Sequence, residues 1–272
     1  MSGADGVTTM APSTLGYWRI RGLAQPIRLL LQYVGEDYEE KLYDFGPEPS
    51  YDREIWYLHK HSLGLAFPNL PYYLDGDVKL TQSSAILRYI GRKYGLCGKT
   101  EQEKTRVDLI QAQATDFKMG YARLVYAESK EEFEDLKIGY LAVLPTKLEE
   151  FSEFLGDLPW FAGNEISIAD FLMYEYLEEH LILQSECLDK YKNLAEFVKR
   201  FESLDRIQEY QKSKDFINWP INTPVAQHGT IADPEPPLPE PVTVTTTEDE
   251  GSVAQGEESK DRGPSTLQQA TE

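Results

Sequence analysis

The sequence predicts an α/β domain followed by an all-helical domain, with a chemically different tail, and three observations carry that prediction. Up to about residue 95, strand-like runs alternate with short amphipathic stretches, whereas beyond it apolar residues recur only at spacings of three and four. Between Phe67 and Ser83 a turn, a hairpin and a helix start are compressed into seventeen residues. The last 44 residues hold no aromatic side chain. The expected boundaries are a flexible extension over 1–13, the α/β domain over 14–95, the helical domain over 101–228 and a disordered, acidic, proline-rich tail over 229–272.

The α/β part begins with a strand at Leu15–Trp18. Pro26 then sits in the first turn of a helix that carries Ile27, Leu30, Leu31 and Val34 on one face, with Gly35 as its stop. Tyr38–Tyr43 reads as a second strand. Gly46-Pro47-Glu48-Pro49-Ser50 is a loop, and residues 51–60 form a short irregular helix. Leu70-Pro71 enters the hairpin, Asp75-Gly76-Asp77 turns it, and Gln82-Ser83-Ser84 opens a helix running to about Tyr94. The order β-α-β-α-β-β-α places a mixed sheet between helices. The start at Gln82-Ser83 presents free backbone N–H groups and the positive end of a helix dipole, a setting that suits a carboxylate.

Beyond Gly95, Thr100-x-x-Glu103 is a capping box for a helix bearing Val107, Ile110, Ala114, Phe117, Tyr121 and Leu124. A second helical stretch runs from about Phe133 to Leu155, with Pro145 expected to bend it. Ser167–Asp170 opens a third through Phe171, Leu172 and Tyr176. Leu194, Phe197, Val198 and Phe201 mark a fourth. The aromatic stripe over 107–124 is core and interface, not a cofactor box.

Composition narrows the function. With 272 residues and 41% hydrophobic content, the chain has material for two packed domains. No apolar run approaches the ~20 residues of a membrane span, and the first residues lack the basic start and apolar stretch of a secretory signal. The net charge is −19, of which the tail supplies −8 from ten acidic and two basic residues. Phosphate backbones would be repelled, so nucleic acid is not an expected partner. The only cysteines, Cys97 and Cys187, lie far apart in no metal-like spacing, which suits a reducing, cytoplasmic setting. Cys97 is read as an incidental small residue after a helix rather than a reactive thiol. His59 and His61 are surface histidines, and no metal site is expected.

The strand and helix order is similar to thioredoxin, yet the CxxC of thiol–disulfide exchange is missing. Where those cysteines would stand, Tyr17 ends the first strand. A tyrosine hydroxyl there can donate to a thiolate held above it and favour ionisation of a thiol whose free pKa is about 8.5 to 9. In a chain with 17 tyrosines, Tyr17 taken alone is a core residue. The motifs around it change that reading.

Taken together, Leu15-Gly16-Tyr17-Trp18, Gln25-Pro26-Ile27-Arg28 and the Phe67–Ser83 stretch resemble cytosolic glutathione transferases, over residues 14–222. The loop Phe45–Trp56, with its length and its Tyr-Asp-Arg…Trp ending, resembles the mu class. The resemblance implies a glutathione-binding α/β domain and a helical domain that receives hydrophobic electrophiles. It makes Tyr17 the catalytic hydrogen-bond donor and assigns glutathione contacts to Trp18, Arg53, Trp56, Lys60, Asn69, Leu70, Gln82 and Ser83. Arg53, Trp56 and Lys60 would hold the glycyl carboxylate, Leu70 would pair with the cysteinyl backbone, and Gln82 and Ser83 would take the γ-glutamyl carboxylate. Asp116 would reach across a homodimer to the glutamyl amine, and Phe67 would be an aromatic key inserted into the partner. The electrophile pocket would comprise Leu23, Met119, Tyr126 and Phe216. Glutathione is the co-substrate, and neither metal nor redox cofactor is expected. Thr115 and Lys118 stand where the family varies, Gly120 is an unusual residue inside a helix, and the run Tyr-Leu-His-Lys-His-Ser-Leu over 57–63 departs from the family pattern while leaving Lys60 in place. The alternative reading is a non-catalytic ligand-binding or structural protein on the same fold. For the tail, a plain solubilising segment is favoured over a polyproline ligand or an electrostatic shield.

Overall fold

A computed structural model describes residues 11–236. The expectations for residues 1–10 and 237–272 lie outside the described residues. Strand β1 (Ser13–Trp18) pairs parallel with β2 (Tyr38–Tyr43) and antiparallel with β3 (Tyr72–Asp75), which pairs antiparallel with β4 (Val78–Thr81). The sheet order is β2-β1-β3-β4. β1 begins inside the expected extension, because Ser13 is buried and its hydroxyl donates to Glu36 at 2.9 Å.

Alternation along the strands divides the sheet into two chemical faces. Leu15 and Tyr73 point to one face, into a core shared with Ile27, Leu30, Ile86, Leu87 and Ile90 of α1 (Gln25–Val34) and α3 (Ser83–Lys93). Gly35 ends α1 in the left-handed conformation at φ +69°, returning its N–H to the Leu31 and Gln32 carbonyls. The other face carries Trp18, Tyr43 and Tyr72, covered by Trp56 of the short helix α2 (Glu54–Tyr57). Gly16 is required there: a Cβ on it would lie 2.1 Å from the Tyr72 ring.

Helix α4 (Glu101–Val125) starts at the Thr100/Glu103 capping box, with both reciprocal bonds formed. Helix α5 (Lys130–Leu155) starts three residues earlier than the apolar pattern suggests, because Ser129 caps it, and it runs unbroken through Pro145. Helix α6 (Ile168–Leu183) starts at the Ser167/Asp170 box and is buried nearly all round. It packs on both α4 and α1, so the core is continuous between the two halves. Helix α7 (Lys192–Glu202) comes next. Helix α8 (Asp205–Gln211) is absent from the sequence reading, being two turns long with only Ile207 and Tyr210 buried.

The ordered body also extends past the boundary that composition suggests. Ile221 and Asn222 donate their N–H groups to the Gly229 carbonyl, Thr230 is buried, and the Asn218 side chain donates to Glu235 (2.9 Å) and the Pro236 carbonyl. Residues 229–236 therefore belong to the body. Polar contacts order them where apolar content could not.

Candidate active site

Beyond β1 the chain turns over residues 19–24 into α1, and this loop shapes the site. Tyr17 is 6% exposed, and its hydroxyl oxygen accepts the Leu23 N–H at 3.1 Å. One lone pair is thereby used on the backbone, and the O–H remains to be donated. Burial pushes the phenol up to about 12, against the opposing influence of the Leu23 N–H and of Arg28, so Tyr17 keeps its proton at neutral pH. Gly22 lies under the hydroxyl at φ +44°, where a Cβ would approach the Tyr17 oxygen to 2.7 Å. Only glycine leaves that oxygen where it is.

Four expected site residues, Tyr17, Trp18, Trp56 and Leu70, meet in one buried apolar cluster with Tyr43 and Tyr72. Trp18 stacks on Phe45 at 4.3 Å. Trp56 stacks on Tyr72 at 6.0 Å and meets Tyr43 edge-on at 5.5 Å, which leaves it 4% exposed. Arg53 stands exposed at the start of α2, and Lys60 lies half-buried with its Nζ 5.5 Å from the Tyr57 ring centroid. These two cations are the groups at this edge suited to a carboxylate.

The Leu70 N–H is donated to Asn69 Oδ1 at 2.9 Å, so pairing with an incoming peptide backbone requires the Asn69 side chain to turn away. Gln82 precedes α3 at φ +72°, an uncommon conformation for a residue with a side chain, and no side chain caps the helix at Ser83. Strain and open N–H groups thus coincide at the expected carboxylate site.

Leu23, Met119 and Tyr126 present exposed side chains, and the Tyr126 hydroxyl accepts the Thr223 N–H at 3.2 Å. The Phe216 ring packs edge-on against Tyr210 of α8 at 5.2 Å. The C-terminal residue that meets Tyr126 is Thr223. Asp116 is exposed on α4 and lines a cleft of about 420 Å³ between α4 and α5, with Phe117, Gly120, Tyr140, Val143 and Phe151. Phe67 is 78% exposed on the loop before β3.

Sequence reasoning missed the ionic bed beneath the site. Arg21, fully buried, forks onto Glu175 and reaches Glu178 (2.5 Å), and Lys118 pairs with buried Glu179. Arg28 donates to the carbonyls of Trp18, Ile20 and Arg21 and to Glu40. His180 is held neutral, its pKa lowered to about 3 by burial, with Nδ1 facing the Tyr176 carbonyl and Nε2 facing the Tyr140 hydroxyl. The proton is therefore on Nδ1, and Nε2 accepts from Tyr140. Three glutamates close together in a largely apolar helix, at 175, 178 and 179, were the available signal. Burial pushes the Cys97 thiol above its usual value, which disfavours the thiolate. His59 and His61 are exposed, and the described residues contain no group of three or more metal-ligating side chains.

Comparison with known proteins gives the chain its relatives. The family model described as glutathione S-transferase, N-terminal domain, matches residues 13–92, and that described as glutathione S-transferase, C-terminal domain, matches residues 115–214. Glutathione S-transferase Mu 4 of Mus musculus is 53% identical over 218 residues, covering 80% of this chain and 99% of that protein. Glutathione S-transferase Mu 1 of Macaca fascicularis is 52% identical over the same length and shares. Among solved structures, the glutathione S-transferase Blo t 8 aligns with a TM-score of 0.74 at 35% identity, over 79% of this chain and 99% of that one. A pi-class glutathione S-transferase of Onchocerca volvulus aligns with a TM-score of 0.69 at 31% identity, over 79% of this chain and all of that one.

Proposed function

The chain belongs to the mu class of glutathione S-transferases, and from that premise we propose how its own residues carry the reaction. The protein conjugates glutathione to electrophiles: the thiolate sulfur attacks an electrophilic carbon, the C–S bond forms, and the leaving group departs with the electron pair it held. The N-terminal domain, over 14–95, binds glutathione, and the helical domain, over 101–228, receives the electrophile. The observation that carries the assignment of roles is the Tyr17 hydroxyl, buried, protonated and anchored through its oxygen by Leu23 N–H.

Tyr17 donates its hydrogen bond to the glutathione sulfur and stabilises the thiolate, the attacking species. Lowering the thiol pKa by about two units converts a mostly protonated thiol into mostly thiolate at neutral pH and corresponds to roughly 2.7 kcal/mol. Arg53 and Lys60 bind the glycyl carboxylate with Trp56 as a wall, Leu70 pairs with the cysteinyl backbone, and Gln82 with Ser83 takes the glutamyl carboxylate at the uncapped start of α3. Trp18 and Asn69 border the peptide. Leu23, Met119 and Tyr126 face the electrophile. Much of the remaining acceleration comes from proximity.

The working form is a homodimer in the cytoplasm. Exposed Phe67 supports it, since the α4–α5 cleft of a second copy offers an apolar slot with room for a phenyl ring. Asp116 on that cleft's wall then serves the partner's glutathione. No metal or redox cofactor enters the scheme. Turnover of reduced glutathione with a generic aryl halide tests the catalytic reading. A protein that binds glutathione but shows no turnover would be the ligand-binding alternative instead.

A further inference from the structure

We propose that Arg21 is a positioning residue for this reaction: its buried guanidinium, gripped by α6, fixes the loop that aims the Tyr17 hydroxyl. The proposal rests on Tyr17 being the donor to the thiolate. Arg21, Gly22 and Leu23 form the tripeptide that touches Tyr17, with Leu23 N–H on the phenol oxygen and Gly22 beneath it. Its backbone is tied on two sides. The N–H groups of Arg21 and Gly22 donate to the Pro220 and Ile221 carbonyls, both at 2.9 Å, and the Arg21 carbonyl accepts from the Gln25 N–H and Arg28 Nη1.

The Arg21 side chain supplies the remaining tie. Nε donates to Glu175 Oε1 at 3.0 Å, Nη2 to Glu175 Oε2 at 2.7 Å, and the same Nη2 to Glu178 Oε2 at 2.5 Å. These carboxylates project from α6, which also packs on α1 and α4. The loop is thus held between the C-terminal segment and the most buried helix of the molecule.

Stability alone does not account for such an arrangement. Buried ion pairs are commonly replaceable by apolar side chains without loss of stability, so their merit lies in fixing geometry. A two-pronged guanidinium fixes direction as well as distance, which a point-charge ammonium cannot do. Arg21 makes no use of its charge toward substrate. It acts through the Gly22–Leu23 backbone on the position of one hydroxyl.

The test compares Arg21→Lys, Glu175→Gln and Tyr17→Phe with the wild type. For each, the pKa of enzyme-bound glutathione is read from thiolate absorbance, beside kcat, KM for glutathione and Tm. Arg21→Lys should raise the bound thiol pKa by about one unit and lower kcat about tenfold, with KM for glutathione changed less than about twofold. Glu175→Gln, which keeps the volume and one acceptor, should shift both in the same direction by less, and it decides the matter if Arg21→Lys does not fold. If both variants lose Tm but keep the wild-type thiol pKa and kcat while Tyr17→Phe moves them, Arg21 is purely structural and the proposal is wrong. If Tyr17→Phe itself leaves the thiol pKa unmoved, the reading of Tyr17 fails and the proposal falls with it.

Discussion

The Leu23 amide donates to the Tyr17 hydroxyl at 3.1 Å, so the phenol oxygen is an acceptor toward its own loop and its O–H remains to be donated. That division of labour matters more than the proximity of the two residues. A phenol anchored through its oxygen cannot swing to satisfy itself elsewhere, and its proton points to whatever occupies the space above. In the proposed scheme the same loop carries exposed Leu23 toward the electrophile, so thiolate stabilisation and substrate contact would share one short piece of backbone.

Gly22→Ala should lower turnover about tenfold and destabilise the fold by about 1–2 kcal/mol. The motive is twofold: φ is +44°, and the added Cβ meets the Tyr17 oxygen at 2.7 Å. Steady-state kinetics and thermal melting measure both. An alanine variant with wild-type turnover would mean that Tyr17 can shift without consequence.

Phe67→Asp should move the protein from dimer to monomer in analytical ultracentrifugation, because a buried aromatic anchor can supply roughly 2 kcal/mol or more of an interface. The residue is 78% exposed in the single chain, so its ring is available to a partner. An unchanged dimer removes the key, and a monomeric wild type removes the dimer.

Two truncations distinguish residues 229–236 from the rest of the tail. Ending the chain after Pro236 should leave Tm and turnover unchanged. Ending it after His228 removes the Gly229 carbonyl that binds Ile221 and Asn222, buried Thr230, and the partners of Asn218. The four hydrogen bonds lost, at about 1 kcal/mol each, correspond to a Tm lower by roughly 8–16 °C. Turnover should fall too, since Ile221 also receives the Gly22 N–H. Equal melting of the two truncations would put residues 229–236 outside the cooperative body.

Glu36→Gln should flatten the acid limb of stability. Burial raises the Glu36 carboxyl, but donation from Lys93, Tyr94, Tyr73 and Ser13 outweighs it and holds the group below its usual 4.5. A carboxylate depressed on folding stabilises above the unfolded pKa, and that contribution is lost as pH falls through the folded value. The variant should therefore melt lower than wild type at pH 7, and the gap should close below about pH 4.5. Melting curves that stay parallel down to pH 3 would show that the carboxylate contributes nothing.

Local signals in the sequence translate well into structure because each is a short-range matter of backbone chemistry. Thr100/Glu103 and Ser167/Asp170 cap helices, Gly35 ends one, and the change of apolar period near residue 95 marks where the sheet gives way to helices. Features that depend on distant partners are illegible. Arg21 meets Glu175 across 154 positions of sequence, and nothing local to either residue announces the pair. Composition misjudges the segment 229–236 because it measures apolar content, whereas polar contacts with Asn218, Ile221 and Asn222 hold that segment. Family resemblance puts Phe216 in the electrophile pocket, yet it packs on Tyr210 while Thr223 sits at Tyr126. Helix α8 is too short for its period to register.

The central claim is that the Tyr17 hydroxyl stabilises the bound thiolate, and the titration of thiolate absorbance in Tyr17→Phe tests it most directly. Only the hydroxyl is lost, so glutathione affinity should stay nearly the same while turnover falls by one to two orders of magnitude, roughly 1.4–2.7 kcal/mol. In the wild type, bound glutathione should ionise about two units below the free thiol, and in the variant it should return close to the free value. If the bound thiol of the variant ionises at the same pH as that of the wild type, Tyr17 is not the donor.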